Sequence, residues 1–235
     1  MYRSRRTLWV AACVVLVAVV LAPPAGRGQT PSDVDIALVL AVDCSYSVDA
    51  SEFRLQMDGL AAAFQSEEVI AAIRSGPLGR VAVTVFQWAG PGSQAVVVPW
   101  TTLESRADAL RLAGELARAP RLSAESATSI TSAINAGVVL HIKSPFKAAR
   151  RVIDISSDGY NNTGAKPDPA RDRAIGVGLT INGLAILNEI WYLDKYFENH
   201  VTGGPGNFVI VAEDYAAYRE AIRRKLIQEI VAPTA

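Results

Sequence analysis

Ile36-Ala37-Leu38-Val39-Leu40-Ala41-Val42 is an unbroken apolar run, and Asp43-Cys44-Ser45-Tyr46-Ser47 follows it directly. A run with no polar alternation is the signature of a strand covered on both faces, as in the parallel sheet of an α/β protein. The D-x-S-x-S segment then projects from the carboxyl end of that strand, the edge where open α/β sheets bind their ligands. One carboxylate and two hydroxyls at alternate positions of a tight loop are hard oxygen donors. They carry too little charge to saturate a divalent cation, which suits Mg²⁺ or Mn²⁺ with a coordination position left open.

Downstream of Ser32 the chain alternates strand-like runs with helical spacing, as β-α-β units require. Strands are expected at Asp35–Val42, Arg80–Trp88, Gln94–Trp100, Arg151–Ile155, Leu179–Ile186 and Phe208–Ala212. Helices are expected at Val48–Gln65 (capped by Asp49 or Ser51), Glu104–Ala117, Ile130–Ile142, Pro169–Val177, Trp191–Asn199 and Tyr215–Ile230. Gly90-Pro91-Gly92 makes the second connection short, so the third strand is expected to run antiparallel at one edge. The fold class that follows is α/β: a Rossmann-like, doubly wound, mostly parallel central sheet with one antiparallel edge strand and helices on both faces.

The chain has 235 residues, and its first part has a different character. Arg3, Arg5 and Arg6 precede fifteen uncharged residues, Leu8–Ala22, and then Pro23, Pro24, Ala25 and Gly26. That order is the basic, apolar, small-residue pattern of a secretory signal over residues 1–28, with cleavage near Ala25–Gln29. Fifteen residues fall short of the roughly twenty needed to span a bilayer, an uncleaved anchor being the alternative. Ser4-Arg5-Arg6-Thr7-Leu8 also resembles a twin-arginine signal, although its Val-rich core is more apolar than that route takes. The chain is thus expected to be exported, periplasmic or secreted, with one domain over residues 32–232 and no stable membrane span once the signal is gone.

Loss of the signal removes four of 23 basic residues and no acid, leaving 19 against 23. A net charge of about −4 offers nothing to nucleic acid. Only Cys44 remains of the two cysteines, so no internal disulfide forms, and it reads as a small buried hydrophobe.

Two further segments bear on the edge defined by Asp43. Thr128 opens the Ile130 helix, and Asp158-Gly159 ends the run Arg-Val-Ile-Asp-Ile-Ser-Ser. On this set the chain resembles the von Willebrand factor A family over roughly Asp35–Ile230. The resemblance implies a metal-ion-dependent adhesion site: Ser45, Ser47 and Thr128 supply hydroxyls, while Asp43 and Asp158 hold the cation directly or through water. The family usually shows Gly-Gly-Thr where this chain has Ser126-Ala127-Thr128, so Thr131 and Ser129 stand as alternatives to Thr128. Val152–Asn162, Gly203–Val209 and Ala221–Leu226 look like a narrower family of bacterial exported A-like proteins without a settled function.

The function implied is a non-enzymatic binding module whose cation completes its coordination with an Asp or Glu carboxylate from a protein partner. A metal-dependent phosphoester hydrolase is the enzymatic alternative. It needs a second acid where Ser45 stands and a lysine near the phosphate, and neither Lys143 nor Lys147 follows a strand end. A degenerate A domain that binds through another face without metal is the third reading. Among lesser features, Asn161 and Asn162 read as turn residues that tolerate left-handed backbone, with tuning of the pocket rim beside Asp158 as the alternative, Gly203–Gly206 as a loop entering a strand or a binding loop on the site face, Trp88 and Trp100 as core or edge packing rather than an exposed aromatic patch, and Arg150 and Arg151 as solvated surface at the opposite end of the sheet.

Overall fold

The computed structural model describes residues 32–121 and 127–232, so the expected signal and Ser126 lie outside the described residues. Strand β1 (Ser32–Asp43) is the centre of a six-stranded sheet. Around it lie β2 (Val81–Trp88), β3 (Gln94–Leu103), β4 (Phe146–Ser157), β5 (Thr180–Ile186) and β6 (Val209–Ala212). Their order is β3-β2-β1-β4-β5-β6, with β3 antiparallel to β2 and every other pairing parallel. The doubly wound sheet with one antiparallel edge is the architecture expected.

Alternation along β1 explains the unbroken apolar run. Ile36, Leu38, Leu40 and Val42 enter one core, and Val39 and Ala41 the other. The first core is covered by α1 (Ala50–Gln65), α2 (Glu67–Ser75), α3 (Arg106–Arg118) and α7 (Tyr218–Val231). The second is covered by α4 (Ile130–Ile142), α5 (Asp168–Gly176) and α6 (Leu193–Tyr196), which runs into a π-helical turn at Phe197–Val201. Each fully buried Val, Leu or Ile of β1 contributes roughly 1.5–3 kcal/mol of transfer free energy.

Several boundaries differ from expectation. Glu67–Ser75 is a separate helix because Ser66 ends α1 and accepts from the Val69 N–H to cap α2. β4 begins at Phe146, since β1 itself starts early and pairs Ser32 with Phe146. The expected Trp191–Asn199 helix is shorter, and its π turn packs against β5 at Gly183, where a Cβ would stand 2.4 Å from Phe197. The Gly203–Gly206 loop precedes β6 and lies at the edge opposite the carboxyl end of β1, so it is not on the site face. Gly204 has φ 92°, and a side chain there would meet the Leu179 carbonyl at 2.7 Å.

Arg150 is also a correction. It is half-buried, and its guanidinium donates to the carbonyls of Glu229 and Ala232 at the end of α7, satisfying acceptors a helix terminus leaves open. Trp88 is fully buried, while Trp100 packs edge-on against Phe146 and donates to the Leu140 carbonyl. Behind β4 lies a charge cluster that the sequence reading passed over. Lys225 on α7 pairs with Asp154 at 2.8 Å and Glu229 at 2.5 Å, all three being buried.

Candidate metal centre

The loop after β1 is shaped by its own backbone. The Ser45 N–H donates to Asp43 Oδ1 at 2.7 Å, turning the Asp43 carboxylate and the Ser45 hydroxyl to the same side. Gln56 of α1 reaches back to the Asp43 carbonyl at 3.1 Å, and Asp49 and Glu52 form a reciprocal capping box that starts α1 immediately after the loop. From the other side Arg121 donates to the carbonyls of Cys44, Ser45 and Val48, a charge-assisted clamp on three carbonyls of the one loop. The Cys44 side chain is buried and donates to the Trp88 carbonyl, so it packs into the fold rather than facing the site.

Hydroxyl chemistry at the start of α4 sorts the three candidates. Ser129 is the helix cap, accepting from the Ser132 N–H, and Thr131 donates to the Ala165 carbonyl at 2.6 Å. Thr128 Oγ1 is left to meet Ser45 Oγ at 3.1 Å. Ser45 Oγ lies 3.5 Å from Ser47 Oγ, and Ser47 donates to Asp158 Oδ1 at 2.9 Å. Asp43, Ser45, Ser47, Thr128 and Asp158 are thus brought together from three loops at the carboxyl ends of β1 and β4.

Four residues outside the expected ligand set surround it. Ser157 donates to Asp43 Oδ2 and takes the Gly159 N–H at 3.1 Å. Asn162 accepts from the Thr128 N–H at 2.9 Å while its own N–H donates to the Thr128 carbonyl. Asn161 accepts from the Thr131 N–H at 3.2 Å. The two asparagines therefore bind the Asp158 loop to the Thr128 loop. They are not left-handed turn residues, because no non-glycine among the described residues has positive φ. Tyr215, entering from the approach to α7, is buried with its hydroxyl within electrostatic reach of Asp158.

The electrostatics are those of a site short of positive charge. Burial first, and the neighbouring Asp158 carboxylate second, push the Asp43 carboxyl up to about 7 against the lowering influence of Ser157 and Ser45. Burial and then Asp158 raise the Tyr215 phenol far above its usual range. Asp158 Oδ2 is buried and has no hydrogen-bond partner among the described residues. Two buried carboxylates with an unsatisfied oxygen beside three hydroxyls fit a hard divalent cation. Among the described residues no group of three His, Cys, Asp or Glu side chains forms a metal cluster, so the donors here are carboxylates mixed with hydroxyls. Lys143 caps the far end of α4 and Lys147 starts β4, so both belong to the opposite edge.

Sheet order and loop placement define a von Willebrand factor A-like fold, and the solved structures agree. Proximal thread matrix protein 1 from the mussel byssus superposes with TM-score 0.63 at 12% identity, covering 84% of this chain and 48% of its own. The same protein has been solved with a zinc-occupied MIDAS motif, TM-score 0.62 at 13% identity over 84% of this chain and 48% of that one. The von Willebrand factor type A protein from Catenulispora acidiphila gives TM-score 0.58 at 19% identity, over 84% of this chain and 43% of that one. The pilus adhesin SpaC from Lactobacillus rhamnosus GG gives 0.57 at 14% identity, over 84% and 30%. The chain spans about half or less of the length of these proteins, and the likeness is one of fold. Residues 33–234 match the family described as "Protein of unknown function (DUF1194)", and the chain belongs to that family. No curated protein matches it in sequence.

Proposed function

We propose that this chain is an exported protein-binding module in which Asp43, Ser45, Ser47, Thr128 and Asp158 hold Mg²⁺ or Mn²⁺, and that a partner's Asp or Glu carboxylate completes the coordination. The observation that carries the reading is the convergence of two buried carboxylates with the buried hydroxyls of Ser45 and Thr128 and the exposed hydroxyl of Ser47, with Asp158 Oδ2 left unpartnered. A bound cation would supply Lewis acidity toward an outside carboxylate, since three of its five side-chain ligands are neutral hydroxyls that donate less charge than carboxylates would. The chain's own residues do the rest. Arg121 and Gln56 fix the first loop, Ser157 orients Asp43, and Asn162 fixes the backbone that presents Thr128.

Adhesin and matrix-protein neighbours support a binding role, and the zinc-occupied motif of the mussel protein supports a divalent cation. Ser45 at the position of a second acid, with Lys143 and Lys147 at the far edge, weighs against a phosphoester hydrolase. Export rests on residues 1–28, and no helix among the described residues is long and apolar enough to cross a membrane. The test is an affinity capture from envelope and culture fractions, comparing Mg²⁺ with EDTA and wild type with Asp43→Ala. A partner retained only by wild type with metal supports the function. A partner retained in every condition supports a degenerate domain that binds without metal.

A further inference from the structure

The loops that carry the candidate ligands also carry exposed aromatic rings. Tyr46, between Ser45 and Ser47, is 79% exposed, and Tyr160, two residues beyond Asp158, is 48% exposed. Trp191 at 80% and Tyr192 at 47% lie in the loop after β5, whose carboxyl end is at the same edge because β5 is parallel to β4. That loop is tied to the site face, since Asn188 donates to Glu52 Oε1 at 3.1 Å in the first turn of α1. The rings contact one another and their neighbours: Trp191 packs edge-on against Tyr192 at 5.2 Å, and Tyr160 against Tyr196 at 6.2 Å. The Tyr196 hydroxyl takes the Asn161 N–H, linking this rim to the Asp158 loop.

Large exposed aromatics cost solubility, and their collection at one edge marks an interaction surface. Tyr and Trp give large apolar contact with little side-chain entropy to lose, which is why they dominate protein-binding hot spots. The charges between them narrow the partner. Asp49, Glu52 and Glu189 share this edge, and Asp49, Asp158 and Glu189 all act on the Glu52 carboxyl, which burial first of all raises. An acidic rim around one cation repels a polyanion but accepts a single carboxylate in apolar surroundings.

We infer that Tyr46, Tyr160, Trp191 and Tyr192 form a recognition rim around the metal centre for a protein loop bearing one Asp or Glu flanked by proline, leucine or aromatic side chains. The inference rests on the proposed carboxylate-binding function and names the partner's chemistry. It makes the rim aromatics specificity-determining contacts, separate from the groups that hold the cation.

The test uses a displayed library of short cyclic peptides, selected on the purified chain in Mg²⁺ and eluted with EDTA. The eluted sequences are expected to contain one acid beside an apolar or proline residue. Tyr46→Ala and Trp191→Ala, both at highly exposed positions, are expected to weaken these peptides about tenfold or more, with Mn²⁺ affinity by calorimetry unchanged. Polyacidic winners, acids without apolar neighbours, displacement of the peptides by polygalacturonate, or rim variants that bind like wild type would each overturn the rim while leaving the cation site standing. Mn²⁺ binding without any EDTA-eluted peptide overturns the rim together with the function beneath it.

Discussion

Replacement of Lys225 by Met isolates the buried cluster that ties α7 to the sheet. Lys225 is fully buried, with its ammonium 2.8 Å from Asp154 and 2.5 Å from Glu229, and the ring of Phe208 lies 5.2 Å away. Methionine fills similar volume but leaves two buried carboxylates facing one another without a cation. Removing one member of such a group costs about 3–5 kcal/mol, a large part of a domain's net stability. The loss depends on pH with a definite sign. Burial already raises Asp154 above the ordinary carboxylate range, and loss of the ammonium that now lowers it raises Asp154 further. The folded variant then binds more protons than its unfolded chain, so its stability rises as pH falls from 8 toward 5. Urea denaturation followed by tryptophan fluorescence at pH 8 and pH 5 reads both effects. A companion carrying Asp154→Leu, Lys225→Met and Glu229→Gln, which keeps an acceptor for the Asn182 amide, should recover to within about 2 kcal/mol of wild type because no charge remains buried. A loss below about 1 kcal/mol, or one independent of pH, would refute the assignment of a buried ion cluster.

Two other substitutions test separate parts of the fold. His141 accepts no easy proton, since burial lowers it to about 4 from 6.5 despite its contact with the Val152 carbonyl at 3.0 Å. Between those values the unfolded chain takes up a proton that the folded chain refuses. Stability from this group is therefore complete above pH 6.5 and falls by about 3 kcal/mol as pH drops toward 4, a slope that His141→Gln should remove in a comparison of urea midpoints. Arg121→Met releases three carbonyls of the first loop. It should weaken Mn²⁺ by about tenfold and cost about 1–3 kcal/mol of stability, measured by calorimetry and by thermal unfolding.

The parts of this molecule that were legible in the sequence are those governed by local pattern. Ile36–Val42 had to be covered on both faces, which placed Asp43, Ser45 and Ser47 at a sheet edge before any coordinates. Thr128 came from the family resemblance with Ser129 and Thr131 beside it, and the capping role of Ser129, which leaves the Thr128 hydroxyl to face Ser45, could not be read from the hydroxyl-rich stretch itself. The roles of Asn161, Asn162, Ser157 and Arg121 depend on segments meeting across dozens of residues, and a turn-prone or surface-prone residue type gives no hint of such a partner. Lys225 and Glu229 are intermediate. They continue the spacing of Tyr218 and Ile222 along the buried face of α7, and Asp154 interrupts an apolar strand, so both halves of the cluster had a sequence signal. Helical propensity treats a Lys and Glu four apart as a solvent pair, which concealed their burial. The separate helix α2 was missed because Ser66 was not recognised as the end of one helix and the cap of the next.

The central claim is that five oxygen-bearing side chains form one cation site. Anomalous diffraction from crystals grown with Mn²⁺ tests it directly. The expected map has a single strong manganese peak bounded by Asp43, Ser45, Ser47, Thr128 and Asp158, and no such peak in crystals of Asp43→Ala. Full manganese saturation of the crystals with no density at that position would contradict it.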